Sequence, residues 1–232
     1  MTTRTRNPST GRPAPETRRV PTPGPEAPRD CSLCPRLVAY RRENAAAHPD
    51  WFNAPVPSFG TENARLLIVG LAPGVQGANR TGRPFTGDFA GDLLYATLLD
   101  FGFARGTYAA RPDDGLELVD AMIANAVRCV PPQNKPTPEE ARTCLGFLTA
   151  RMAALPHLKA VLALGRIAHD AALSARGMKR SSAAFGHGAS HDIGGGLRLF
   201  DSYHCSRYNT NTRRLTEEMF RSVFADVRAF LD

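Results

Sequence analysis

The sequence predicts a three-layer α/β/α domain built on a central four-stranded, mainly parallel sheet. Three observations carry this. With 232 residues, 42% of them hydrophobic and 22% charged, the chain can bury one sizeable core and is neither fibrous nor wholly disordered in composition. From Arg65 onward, short apolar β-rich runs alternate with longer amphipathic segments, the pattern of parallel strands joined by covering helices. Finally, residues unusual for a core gather just past the ends of those runs: the loop after Leu71, Asn125, Gly165-Arg166 and His204. Open α/β sheets bind ligands beyond the carboxyl ends of their strands.

Four runs read as strands: Leu66 to Leu71, Ala121 to Val127, Ala160 to Leu164 and Leu197 to Tyr203. Thr137-Pro138-Glu139-Glu140 opens a helix, with an N-cap threonine, a proline at the first helical position and a glutamate set for a capping box. Thr216-Glu217-Glu218 opens the last helix, whose Phe220, Val223, Phe224, Val227 and Leu231 recur at helical spacing and face the core. No internal repeat occurs, and no apolar run is long enough to span a bilayer.

Residues 31–232 form the expected single domain, preceded by a tail over residues 1–30. That tail holds seven of the nineteen prolines and six arginines, opposed only by Glu16, Glu26 and Asp30, and reads as flexible and basic. It lacks the apolar stretch of a secretory signal, and its prolines disfavour the amphipathic helix of a transit peptide, so a cytoplasmic location is expected. The formal charge of +7 divides into +3 from the tail and +4 from the remainder. Such an excess favours polyanionic partners, although many proteins that bind no nucleic acid share it.

Cys31-x2-Cys34 precedes the sheet, and Cys129-x14-Cys144 brackets a loop and the first turns of the capped helix, so four thiols can meet there. Buried free thiols, a structural zinc and an iron-sulfur cluster all suit them, and spacing alone does not choose. Cys205, beside His204, stands apart.

The first strand leads into a glycine-rich loop, Gly70-Leu71-Ala72-Pro73-Gly74-Val75-Gln76-Gly77-Ala78-Asn79-Arg80-Thr81-Gly82-Arg83-Pro84-Phe85-Thr86-Gly87-Asp88. Its glycines permit close backbone approach to a ligand, and the helix after it can hold an anion. It matches neither the dinucleotide fingerprint nor a Walker loop, which disfavours nucleotide triphosphates.

This loop resembles the first motif of the uracil-DNA glycosylase superfamily in its type b branch, family five. Asn125-Ala126-Val127-Arg128-Cys129-Val130-Pro131-Pro132 with Asn134-Lys135-Pro136-Thr137 resembles the second motif, Phe185-Gly186-His187-Gly188-Ala189 a further segment, and Ser202-Tyr203-His204 with Asn209-Thr210 and Arg214-Leu215-Thr216 the third. The resemblance runs from about Cys31 to the C-terminus. It departs from the usual pattern at Cys205, where a proline is common, at Arg213, where a glycine is usual, and at Gln76, where a histidine is frequent. The first two departures bear on loop geometry and DNA insertion.

The resemblance implies a monomeric, monofunctional DNA-repair glycosylase acting on DNA that contains uracil or other deaminated bases such as hypoxanthine and xanthine. It also implies that Cys31, Cys34, Cys129 and Cys144 hold a [4Fe-4S] cluster. Breaking the bond between deoxyribose and base builds positive charge on the sugar and negative charge on the base. Asp88 is the candidate to offset the first and to orient water, and His204 to donate a hydrogen bond to the departing base. Asp88 as a simple helix cap and His204 as a structural histidine are the plainer readings. The Asn125 amide matches uracil O4 and N3–H, whereas a strand asparagine can also just bond backbone. Phe85 is expected to stack on the flipped base, with core packing as the alternative, and Gly70 and Ala72 to border it. Arg80, Arg83 and Arg207 are the candidate phosphate contacts. Two other functions compete: a strictly uracil-specific enzyme, and a catalytically inactive nucleic-acid-binding module with a structural metal.

Overall fold

A computed structural model describes residues 23–232, and the stretch from 1 to 22 of the expected tail lies outside the described residues. In chain order the elements are α1 (Pro35–Ala47), β1 (Phe59–Gly60), β2 (Leu66–Gly70), α2 (Ala78–Thr81), α3 (Phe89–Asp100), β3 (Ala104–Arg105), β4 (Glu117–Leu118) and β5 (Ala121–Asn125). Then come α4 (Pro138–Ala154), β6 (Ala160–Leu164), α5 (Arg166–Ala175), β7 (Ser190–Asp192), β8 (Arg198–Ser202), α6 (Arg207–Asn211) and α7 (Glu217–Leu231).

The main sheet runs β1-β5-β2-β6-β8-β7, so it has six strands where four were expected. The four expected strands are its parallel centre. The two additions are antiparallel edges of two and three residues. Neither is long enough to show a period of two in sequence, which is why they escape a reading based on periodicity. β3 and β4 pair separately as a short ribbon.

Alternate residues of the central strands point to opposite faces, as a pleated sheet requires. Leu66, Ile68, Ile123, Leu162 and Phe200 pack with Leu94 and Leu98 of α3 and with Phe220, Val223, Phe224 and Val227 of α7. Leu67, Val69, Met122, Val161 and Leu199 pack with Leu148 and Met152 of α4 and with Ala168, Ala172 and Leu173 of α5. The two apolar layers make the predicted α/β/α arrangement. From β2 the chain crosses by α3 to β5, then doubles back by α4 past β2 to β6. This reversal opens a crevice beyond the carboxyl ends of the strands on either side.

Both expected helix starts are present. Thr137 and Glu140 form the reciprocal capping box of α4, and Thr216 accepts from Met219 N at 3.2 Å to cap α7.

The tail boundary expected at residue 30 differs. Residues 23–30 lie against the domain: Pro23 packs over Gly146 of α4, and Arg29 sits 4.6 Å over the Phe52 ring. Glu26 is 2.6 Å from the buried Arg151 and 3.5 Å from the buried Arg128, whose guanidinium also donates to Pro25 O and Ser58 Oγ. A guanidinium buried this deeply needs a counter-charge, and the local sequence around position 128 offers none.

Replacing Glu26 by Ala should therefore lower unfolding stability by about 2 kcal/mol in urea denaturation, less than for a fully enclosed pair because Glu26 is partly exposed and Arg151 keeps Glu62. A loss indistinguishable from a surface mutation would mean that the segment merely rests on the domain.

Candidate active site

β2 ends at Gly70, which pairs in register with Asn125 at the end of β5. A Cβ at position 70 would strike both the Asn125 amide and the Phe85 ring, so only glycine lets these two groups approach each other. Past Gly70 the chain curls around Asp88. A Cβ at Gly77 would collide with Asp88 Oδ2, and one at Gly74 would lie 3.3 Å from it. Phe85 has a left-handed backbone, φ 52°, held by Tyr108 Oη donating to Phe85 O at 3.2 Å and Tyr95 Oη donating to Pro84 O at 2.7 Å.

These residues surround a cavity of about 380 Å³, a volume in the range of small-ligand sites. Phe85, Asp88, Asn125, His204, Ala72 and Arg207 all line it, so the glycine-rich loop, the end of β5 and the loop after β8 converge as expected. Gly70 is not among the lining residues and bears on the cavity by leaving room for Asn125 and Phe85. Asn134, Phe89 and Ser206 also line it and carried no predicted role. Asn134 belongs to a proline-bracketed turn in which Gln133 and Asn134 both take positive φ, a local signal that could have marked it.

Asp88 is both a cap and a cavity residue. Its Oδ1 accepts from Gly91 N at 3.2 Å at the start of α3, while Oδ2 faces the Gly74–Gly77 turn. Burial raises its pKa above the ordinary carboxylate value. His204 lies with its ring 5.9 Å from that of Phe85, and burial lowers its pKa to about 4. Its imidazole is thus neutral at pH 7 and has one N–H to donate. Asn125 is buried, and its Oδ1 has no hydrogen-bond partner among the described residues. The backbone-bonding alternative for its carbonyl oxygen is therefore not realised. Cys205, next to His204, is fully buried, with its thiol against Ala90 O at 3.5 Å and its pKa pushed up to about 12 by burial.

The three arginines divide. Arg80 and Arg207 are exposed, the first donating to Gln76 O and the second lying 5.2 Å over the Phe89 ring at the cavity rim. Arg83 is a correction: it is buried, bonded bidentately to Asp114 at 2.7 and 2.8 Å, and 5.2 to 5.8 Å from the Phe59, Tyr95 and Tyr108 rings. It holds the Asp114 carboxyl well below its usual range and, being buried, is out of reach of a phosphate. It braces the loop that carries Phe85.

Cys31, Cys34, Cys129 and Cys144 line one small cleft with Leu37, Val127 and Phe147, against which Ala72 also packs. Arg36 clamps α1 to the start of α4 through two bonds to Glu140 at 2.7 and 2.8 Å, and Arg41 holds the carbonyls of Arg29 and Cys31. Among the described residues no three cysteines have sulfurs all within 4.8 Å of one another. Burial and mutual repulsion raise the Cys34 and Cys129 thiols to about 11 and about 12.

A buried network that sequence reasoning missed stands behind the His204 loop. Asp201 meets His169 at 2.7 Å and His191 at 3.3 Å and accepts from Gly186 N at 3.4 Å. Its partners lie 10 to 32 residues away, so no local spacing announces it.

The family model described as the Uracil DNA glycosylase superfamily matches residues 57–228. A type-5 uracil-DNA glycosylase of Thermus thermophilus is 46% identical over 203 residues, covering 85% of this chain and 92% of that protein. One of Pyrobaculum aerophilum is 41% identical over 198 residues, covering 84% and 86%. A type-4 uracil-DNA glycosylase of the same organism is 34% identical over 152 residues, covering 65% and 63%.

The His204 environment makes a measurable claim. Its ring resonance should titrate near pH 4 by NMR, well below the ordinary histidine value of about 6.5. Between those two values the unfolded chain takes up a proton that the folded ring refuses, so this residue adds stability as pH rises through that window and loses it as pH falls. A titration near 6.5 would mean that the ring is open to water.

Proposed function

The chain belongs to the uracil-DNA glycosylase superfamily, and from that premise we propose that it hydrolyses the N-glycosidic bond of uracil, and of deaminated purines such as hypoxanthine and xanthine, in DNA, leaving an abasic site. One observation carries the reading: an unsatisfied Asn125 carbonyl oxygen, the Asp88 carboxylate and a neutral His204 imidazole border a single cavity walled by Phe85.

Each group has work in that reaction. A base inside a duplex is out of reach, so the nucleotide must swing out, and the Phe85 ring offers its extruded base a stacking face. The Asn125 amide can accept from uracil N3–H and donate to O4. As the bond stretches, the sugar becomes cationic, and the Asp88 carboxylate stabilises it and orients the attacking water. The His204 N–H donates to the developing anion at O2. A neutral donor suffices here, because the anion is delocalised over the ring.

Breadth of substrate has support in the lining. Leu71 and Ala72 are apolar and make no specific demand on the base edge, which leaves room for a purine in a 380 Å³ cavity. Among the described residues lining the cavity there is no lysine, so no amine is at hand to capture the sugar as a Schiff base, which supports water as the nucleophile of a monofunctional enzyme. An inactive binding module would have no use for a buried amide lacking a partner beside a carboxylate.

The four cysteines fit a [4Fe-4S] cluster better than a zinc ion. A tetrahedral zinc with bonds of about 2.3 Å holds its thiolates roughly 3.8 Å apart, whereas no three of these sulfurs all lie within 4.8 Å of one another, and a cubane spreads its ligands over a larger body. When bound, the cluster supplies a cross-link among the segment before α1, the exit of β5 and α4, and offsets the mutual repulsion of four thiolates.

Two experiments test this. Purified protein incubated with oligonucleotides bearing uracil, hypoxanthine, xanthine or a thymine control, then cleaved at abasic sites, should release the first three bases and spare thymine; release of uracil alone would establish strict specificity. In single-turnover assays Asp88→Asn, which retains capping ability, should slow uracil release by roughly a hundredfold while leaving the fold intact. The acid limb of the wild-type rate should sit above the ordinary aspartate value of about 3.9, in line with the raised Asp88 pKa, and vanish in the variant. Near-wild-type rates in Asp88→Asn would reduce Asp88 to a helix cap. Independently, the protein should be brown, with iron and sulfide in equal amounts; a colourless protein with one zinc would overturn the cluster.

A further inference from the structure

A second cleft, open and about 290 Å³ in volume, adjoins the base cavity and shares Leu71 and His204 with it. Its remaining walls include Phe185 and Tyr203, and two exposed cations, Arg166 and Arg214, stand over them. The Arg214 guanidinium lies 4.7 Å from the centre of the Tyr203 ring. Tyr203 is itself stacked with His187, centroids 5.1 Å apart and planes 24° apart, and its N–H donates to His187 Nδ1 at 3.2 Å. Among the described residues no carboxylate lies within 4.0 Å of Arg214, whereas Arg166 has only a loose contact with Asp170 at 3.5 Å.

The support beneath this stack is rigid. Gly188 N donates to Asp201 O and Asp201 N to Ala189 O, both at 2.9 Å, so the 185–189 loop is fastened to β8. The buried Asp201 carboxylate, held between His169 and His191, adds the bond from Gly186 N. Arg214 is therefore presented on a fixed platform. A guanidinium lying on an aromatic face keeps its in-plane N–H donors pointing outward, the geometry that grips a phosphate bidentately. An apolar floor edged by two cations and open on the side of the base cavity suits one sugar-phosphate unit of a nucleic-acid strand.

We propose that this cleft holds the phosphodiester and sugar next to the extruded nucleotide, with Arg214, set on Tyr203, as the principal phosphate ligand and Arg166 as the second. The inference rests on the DNA reading above and deepens it: the strand passes from the base cavity over the His204 loop into this groove, and Arg214 takes the anchoring task expected of Arg83. Arg214 is a positioning residue, since it touches the backbone and not the reacting bond.

The test is DNA binding measured against salt. Each phosphate neutralised contributes about −0.9 to the slope of log K against log salt on duplex DNA. Arg214→Gln should weaken binding roughly three- to tenfold and make the slope shallower by about 0.9. Arg214→Lys should regain the slope but only part of the affinity, because an ammonium cannot hold the flat two-point pose. Arg166→Gln added to Arg214→Gln should reduce the slope again. Unchanged affinity and slope in Arg214→Gln would overturn the proposal. So would an unchanged slope accompanied by lowered thermal stability, which would make the stack purely structural. Undamaged DNA serves as the ligand throughout, so wild-type protein that binds DNA but releases no base would defeat the proposed function and still leave the groove to be judged by these variants.

Discussion

A side chain at position 70 would occupy the space where the Asn125 amide and the Phe85 ring meet, and the cavity between the strand ends depends on that space. The parallel register sets Gly70 beside Asn125, and the strand reversal at β2 opens the crevice above them. Phe85 reaches the same point only because its backbone accepts a positive φ, an arrangement of order 1 kcal/mol or more above the usual regions. The buried Arg83–Asp114 pair and the hydroxyls of Tyr95 and Tyr108 hold that loop in place. The polar site is thus supported by contacts that never touch a substrate.

Asp88 shows how one carboxylate can cap a helix and still line the cavity proposed as the active site. One oxygen satisfies the first turn of α3, and the other is left facing a turn whose glycines make room for it. Fixing the side chain by its cap bond means that little ordering remains for the chemical step. Desolvation raises its pKa, so the same burial that would strengthen its field on the proposed cationic sugar also narrows the pH range in which it is charged.

Much of this was legible in the sequence. The central strands and the capped helices declare themselves because short continuous apolar runs and Thr-Pro-Glu-Glu are local signals, and the glycine-rich loop showed where the strands would present their chemistry. What escaped was set by distance along the chain. Arg83 reads as a free surface charge until Asp114, thirty-one residues on, encloses it. Arg128 and Arg151 give no hint that Glu26, more than a hundred residues earlier, will answer them, and so residues 23–30 read as tail. The two edge strands are too short to show a period, and the Asp201 network joins three elements whose pairing no spacing predicts.

Cys205 stands directly beside His204, behind the cavity that the imidazole lines. Its thiol is enclosed, lies against a main-chain carbonyl, and stays protonated to about pH 12. It is therefore a poor nucleophile and a poor target for peroxide or alkylating agents, which act on exposed thiolates. Chemically the position behaves as a small apolar filler. The cavity can thus keep a cysteine one residue from His204 without gaining a site of oxidation or alkylation there.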